Sequence, residues 1–273
     1  MDTLQLTRDT TLCISLSGRP SNLGTRFHNF LYDELALDYV YKAFTTPDIA
    51  AAIGGVRALG IRGAGISMPF KEAVIPLVDS MDDSALAIDS VNTIVNTDGH
   101  LRAYNTDYTA VATLVAEREI PADSTFAVLG SGGMAKACVA ALRDAGFTHG
   151  RVIARNPVAG PALAEAYGVE WAPELAEPGT ALIVNATPIG MAGGPEADAL
   201  PVPEAVVDAA RYVLEVVAMP QVTPLVRRGR AAGAAVITGP EVTALQAADQ
   251  FALYTGVRPT PEQVQRAAEF SRA

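Results

Sequence analysis

The chain has 273 residues, 49% apolar and 18% charged, which suits two packed domains with real cores and excludes a disordered chain. A formal net charge of −10 argues against a nucleic-acid partner, which calls for a concentrated basic face. Cys13 and Cys138, each in an apolar run, are too few for a disulfide scaffold or a cysteine metal site and read as reduced core thiols. The three histidines show no ligand spacing, so no metal is expected. The opening Met1-Asp2-Thr3-Leu4-Gln5 lacks the basic and apolar regions of a secretion signal. No apolar run approaches the roughly 20 residues that cross a bilayer. A cytoplasmic protein without a membrane partner is expected, with monomer and homodimer both open.

In chain order, Leu12 to Ser17 reads as a buried strand, closed by the turn residues Gly18-Arg19-Pro20-Ser21-Asn22. A helix is expected from about Thr25 to Leu35, then a strand over Tyr39 to Phe44. Ile49, Ile53 and Val56 mark a helix over Asp48 to Leu59, which Gly60 ends. Gly63 to Ser67 is a third strand, and Pro69-Phe70-Lys71 is expected to open a helix, since proline in a first turn gives up no hydrogen bond. Thr97-Asp98-Gly99 marks a hairpin between Val91 and Tyr104. A helix over Asp107 to Arg118 leads toward Pro121-Ala122-Asp123, the expected seam. Beyond it, strands at Phe126–Leu129, Arg151–Ala154, Ala181–Asn185, Tyr212–Val217 and Ala234–Ile237 describe a doubly wound parallel sheet. Glu241 to Gly256 and Pro261 to Ala273 read as helices that fold back onto the first domain.

The fold class is therefore α/β, with an N-terminal α/β substrate domain and a Rossmann-type doubly wound dinucleotide domain. The expected division is 1–107 with 241–273 for the first and 108–240 for the second.

Gly130-Ser131-Gly132-Gly133-Met134-Ala135 fits G-x-G-x-x-[GA] between an apolar strand and a good helix. The first glycine makes the tight turn, the second lets backbone N–H groups approach a pyrophosphate, and the small Ala135 lets the helix pack close. At the end of the next strand an enzyme using NAD would place Asp or Glu for the ribose 2′-hydroxyl. This chain has Ala154-Arg155-Asn156. A guanidinium can grip a 2′-phosphate, so NADP is the expected cofactor, with an exposed loop arginine as the plainer alternative.

Lys71 and Asp107 are the candidate catalytic pair. A carbonyl that takes a hydride needs a proton on its developing alkoxide; lysine can supply one, and a carboxylate keeps it charged and oriented. Asp107 reads equally as the N-cap of a helix beginning near Tyr108, and Asn92 and Asn105 as turn residues. The order of these pieces ahead of a dinucleotide turn points to a hydride-transfer enzyme.

Taken together, the chain resembles the shikimate dehydrogenase family. The likeness is carried by Gly18-Arg19-Pro20, His28-Asn29, Pro69-Phe70-Lys71, Val91-Asn92-Thr93, Asn105-Thr106-Asp107 and Gly130-Ser131-Gly132-Gly133. It continues through Asn185-Ala186-Thr187-Pro188-Ile189-Gly190-Met191, Thr223-Pro224 and Gly239…Gln246-Ala247-Ala248. The resemblance implies an NADP-dependent oxidoreductase that interconverts shikimate, or a close cyclic hydroxy acid, and its 3-dehydro ketone. It implies that Lys71 and Asp107 form the catalytic pair, that Asn92 and Gln246 hold ring hydroxyls, and that Ser67 stands where the family has a threonine. It places Gly130 to Ala135 (Met134 included), Arg155, Asn156, Thr187 and Gly239 at the cofactor. A quinate or aminoshikimate dehydrogenase, and a non-catalytic ligand or nucleotide-binding protein on the same fold, are the alternatives.

Three departures stand out. The family's Ser-x-Ser-Pro, whose hydroxyls hold the substrate carboxylate, is replaced by the shorter Ser21-Asn22-Leu23-Gly24-Thr25, so Ser21, Asn22 and Thr25 become the candidate contacts. Ala218 stands where a tyrosine is common, and only the arginine of an Asn-Arg-Thr survives at 154–156. A paralogue whose best substrate differs from shikimate is expected.

Overall fold

The structure, a computed structural model, describes residues 6–273; the opening five, where no secretion signal is seen, lie outside the described residues. The chain forms two compact units, one through Thr106 together with Ala244–Ala273, the other Asp107–Thr243. The Pro121-Ala122-Asp123 stretch is thus no seam. It lies inside the second unit, where the Ser124 N–H closes a turn onto the Pro121 carbonyl at 3.0 Å.

The first unit contains β1 (Thr11–Leu16), α1 (Asn22–Glu34), β2 (Tyr39–Phe44), α2 (Ile49–Ala58), β3 (Gly63–Ile66), β4 (Ser80–Met81), α3 (Asp83–Leu86), β5 (Thr93–Thr97) and β6 (His100–Tyr104). Its sheet runs β2-β1-β3-β5-β6-β4. The β1 pairs with β2 and β3 are parallel, whereas β5 is antiparallel to both β3 and β6. Side chains alternate across a strand, and both faces here are apolar. Ile14 and Ile94 face a core with Ile53 and Val56 of α2. Their neighbours Cys13 and Val95 face a second core with Phe27 and Leu31 of α1. The hairpin turn is as the residues demand: Asp98 and Gly99 both take positive φ, 52° and 88°.

Helix α1 starts earlier than the sequence suggests, because Gly24 masks its first turn. That glycine lies against the Tyr41 ring, 3.7 Å from where a side chain would begin.

The second unit follows with α4 (Thr106–Glu117, which begins on the last residue of the first), β7 (Phe126–Leu129), α5 (Gly133–Asp144), β8 (Gly150–Ile153), α6 (Ala159–Tyr167), β9 (Glu170–Ala172), β10 (Leu182–Asn185), α7 (Glu204–Asp208), β11 (Tyr212–Glu215), α8 (Pro224–Ala231) and β12 (Ala235–Ile237). All six strands are parallel in the order β12-β11-β10-β7-β8-β9, a doubly wound sheet. The two runs read as C-terminal helices are α9 (Gly239–Thr255) and α10 (Pro261–Arg272). From Ala244 onward they supply Ala247, Phe251, Tyr254 and Ala267 to the core beneath α1. Gly63 exists for this packing: the Tyr254 ring lies 2.2 Å from where a Cβ would stand. Thr260 and Gln263 cap α10 reciprocally.

Candidate functional site

Lys71 does not open a helix. After β3 the chain turns through a cis Met68–Pro69 bond, and the first helical turn is a short 3₁₀ segment at Ile75–Leu77. The reason is a competing tertiary bond. The Lys71 carbonyl accepts the Val91 N–H at 2.9 Å, and the Ile75 N–H that would continue an α-helix donates to Glu72 instead. Further bonds hold this turn: Ser67 N–H to Leu16, Phe70 N–H to Ser67, and Gly18 N–H to the Met68 carbonyl. Gly18 has little room for a side chain, since a Cβ would stand 3.1 Å from the Pro69 ring.

Val91 leads directly into a buried polar network. Asn92 is 2% exposed, and its Oδ1 accepts the Thr106 N–H at 2.8 Å and the Thr93 hydroxyl at 2.8 Å. Its Nδ2 donates to Thr106 Oγ1 at 3.0 Å. The buried Gln250 of α9 donates through Nε2 to the Asn92 carbonyl at 3.1 Å and to Thr93 Oγ1 at 2.9 Å. Thus the Lys71 turn is tied through Val91 and Asn92 to the residue that precedes Asp107 in the chain. Asp107 lies in the first turn of α4 and not ahead of it, so it is not the N-cap. Within the second unit its carboxylate adds to the burial that drives the Cys138 thiol upward.

Asn105 is also more than a turn residue. It is buried, with its Nδ2 bonded to the Ser90 carbonyl at 2.9 Å. Gln246 sits on α9 one turn before Gln250, half-buried. Ser21 holds the N-cap position of α1 in extended backbone without a side-chain capping bond, and Asn22 begins the helix; both are exposed, as is Ser67. His28, part of the family-like His-Asn, is fully buried beside Tyr41, and burial pushes its pKa down to about 3. It is a neutral core residue.

In the second unit the glycine turn joins β7 to α5. Gly130 has φ 115°, and a Cβ there would stand 2.9 Å from the Ala186 carbonyl oxygen, so only glycine fits. Gly132 holds the N-cap position of α5 with open space where a side chain would be. The first N–H groups of α5, from Gly133, Met134 and Ala135, lack helical acceptors and form an anion-binding end. Ala135 itself is fully buried.

The turn opens on a cavity of about 860 Å³ lined by Gly130, Ser131, Arg155, Thr187, Pro188 and Glu196, among others. Arg155, at the end of β8, faces the Glu196 carboxylate with both terminal nitrogens, each at 3.5 Å. Asn156 Oδ1 accepts the N–H groups of Val158 and Ala159 at 2.9 and 3.0 Å, opening the next helix. Thr187 is likewise engaged, its hydroxyl donating to Asn185 Oδ1 at 2.6 Å. Gly239 is buried against the Val217 carbonyl, where a Cβ would stand 2.1 Å from the oxygen.

Sequence reasoning missed Glu215. It is fully buried at the end of β11 and accepts from Asn185 Nδ2 at 3.0 Å, the Thr223 hydroxyl at 2.8 Å and the Val217 N–H at 2.9 Å. Burial raises its pKa to about 7 against the pull of those bonds. Asn185 also holds the Ile189 carbonyl at 3.1 Å, so Glu215 anchors one wall of the cavity. A lone carboxylate inside the apolar run Tyr-Val-Leu-Glu-Val-Val was the available signal.

Comparison with known proteins places the chain. Residues 21–94 match the shikimate dehydrogenase substrate binding domain. A shikimate dehydrogenase-like protein of Haemophilus influenzae is 51% identical over 267 residues, covering 98% of each chain. The chain belongs to the shikimate dehydrogenase family. The solved structure of a shikimate 5-dehydrogenase-like protein superposes with TM-score 0.96 at 50% identity, over 98% of this chain and 100% of that one. The shikimate 5-dehydrogenase of Thermus thermophilus, in complex with NADP(H) and shikimate, gives 0.86 at 30% identity over 96% and 99%. Like these family members, the chain is an α/β protein with two sheet domains.

Among the described residues no helix is long and apolar enough to cross a membrane, and no group of three or more His, Cys, Asp or Glu could hold a metal ion. Cys13 and Cys138 are free and buried.

Proposed function

We propose that the protein is an NADP-dependent oxidoreductase that interconverts a cyclic hydroxy acid of the shikimate type and its 3-dehydro ketone. The observation that carries the reading is the buried network linking the Lys71 turn, through Val91 and Asn92, to Thr106 beside Asp107. These bonds hold three separate stretches of the first unit to one another.

The cofactor is NADP. The second unit fits it: the Gly130–Gly132 turn leaves backbone open to a pyrophosphate, and Arg155 offers a guanidinium in place of an acid at the end of β8. When bound, NADPH supplies the hydride. Lys71 Nζ donates the proton to the forming alkoxide, and Asp107 keeps that ammonium charged and oriented. Asn92 and Gln246 orient the ring hydroxyls. With the family's paired serines missing, Ser21, Asn22 and Thr25 are the groups left to meet the carboxylate, and Ser67 stands at the position of the family's threonine.

That replacement favours a substrate related to shikimate over shikimate itself. Two hydrogen bonds to a charged group are worth about 1.5–3 kcal/mol apiece. Their loss raises KM for shikimate by about 10²-fold or more. The test is absorbance of the reduced nicotinamide with shikimate, quinate and a panel of cyclic hydroxy acids. Turnover of at least one supports the reading, and a flat response across the panel from folded, NADP-bound protein refutes it in favour of a binding protein.

A further inference from the structure

The cavity beside the glycine turn holds a charge that the cofactor assignment does not use. Glu196 lies in the connection between β10 and α7, and its backbone carbonyl is fixed by the Gly190 N–H at 2.9 Å and the Ala199 N–H at 3.2 Å. From there its two carboxylate oxygens face the two terminal nitrogens of Arg155, each at 3.5 Å. In the sheet, β7 lies between β8 and β10. The pair therefore joins the segments that follow the two strands flanking β7, the strand that leads into Gly130. Arg155 is 75% exposed and Glu196 39%, so the contact can open to admit a ligand.

We infer that Glu196 is a specificity-determining residue, an internal competitor that occupies the guanidinium an NADP 2′-phosphate must take. The inference rests on the cofactor reading above. A carboxylate and a phosphate present the same acceptor geometry to an arginine fork, so the 2′-phosphate competes with Glu196 for the edge formed by the two terminal nitrogens of Arg155. Once displaced, Glu196 remains within a Debye length of a doubly charged phosphate and repels it. NAD carries a 2′-hydroxyl there, which Glu196 tolerates and can accept from. Arg155 thus favours NADP, and Glu196 trims that preference.

The test is cofactor dissociation, measured by titration without substrate, for wild type and Glu196→Gln, with Glu196→Ala as a second variant. Glu170→Gln, which breaks the exposed Arg151–Glu170 pair of the same unit, is the control. Exposed ion pairs are worth little, so the expected gain is modest. Both Glu196 variants should bind NADP about three- to tenfold more tightly, with NAD changed less than about threefold. The gain should shrink at 1 M salt, and shrink again when Arg155→Ala is added, which leaves only the direct repulsion of the phosphate by Glu196. Glu170→Gln should change neither cofactor.

An unchanged NADP affinity in the Glu196 variants, while Arg155→Ala still weakens NADP selectively, overturns the inference alone. So does an equal gain for both cofactors, which would be general charge relief. If Arg155→Ala weakens both cofactors alike, the arginine does not read the phosphate, and the cofactor reading falls together with this inference.

Discussion

The turn at Gly130 and the turn at Lys71 both follow a buried strand, yet different forces hold them. At Gly130 the constraint is local: one positive φ, one carbonyl too close for a Cβ, and a helix start without a side chain. At Lys71 the constraint is remote. The segment is fastened by Leu16, Gly18 and Val91, and a bond to Val91 replaces the helix that its own residues favour. A turn built by local sterics can be read from a few letters. A turn built by long-range bonds cannot, and it can aim a side chain that no helix would aim the same way.

If the two turns are as independent as they look, each can be damaged without the other. The largest expected effect is on chemistry. Lys71→Ala should lower kcat by about 10²–10⁴-fold, the usual contribution of a positioned acid, and leave the dissociation constant for NADP near wild type. Asp107→Asn should follow in the same direction. A variant that loses cofactor binding in step with kcat would show that the turns are coupled.

Next comes the wall of the cofactor cavity. Glu215→Ala removes the acceptor for Asn185, Thr223 and Val217 in a fully buried site. It should cost about 3 kcal/mol or more in urea unfolding. The same residue sets a pH dependence. Its folded pKa of about 7 lies above the ordinary 4.5, so the unfolded chain holds fewer protons between those values. The stabilising contribution is complete below about 4.5 and is lost as pH rises through about 7, at most about 3 kcal/mol in all. Glu215→Gln, with no proton to lose, should flatten that slope; an unchanged slope would assign it to other groups.

The smallest effect is on cofactor choice. Arg155 is exposed, so Arg155→Ala should raise KM for NADP about tenfold and leave NAD nearly unaffected. Comparable losses for both would mean that the end of β8 does not discriminate.

These contrasts also explain what the sequence disclosed. Parallel strands such as β1, β7 and β10 were legible because each is a short apolar run, and the Asp98-Gly99 hairpin because both residues suit positive φ. β9 was not, since Glu170-Trp171-Ala172 has no apolar period. It exists because it pairs with β8, while the Trp171 indole donates to the Ala154 carbonyl at 3.2 Å and Gly160 leaves room for the ring. Lys71, Asp107 and Asn92 could be picked out by their order along the chain. That Asn92 spends its Oδ1 on Thr93 and on Thr106, 14 residues away, depends on how the chain returns after β6, and that Gln250 fixes Asn92 from α9 depends on a contact across 158 residues of chain. Glu196 and Glu215 gain their meaning only from partners brought near by the sheet.

The most direct test of the oxidoreductase account is the fate of the hydride. The protein is given NADPH carrying deuterium at the transferable position of C4, together with 3-dehydroshikimate or the ketone of the best substrate in the panel, and the product is analysed by mass spectrometry. The account predicts one deuterium on the ring carbon that was the ketone, with about 10²–10⁴-fold less of this labelled product formed by Lys71→Ala over the same time. Unlabelled ketone recovered intact from folded, NADPH-bound protein would contradict it.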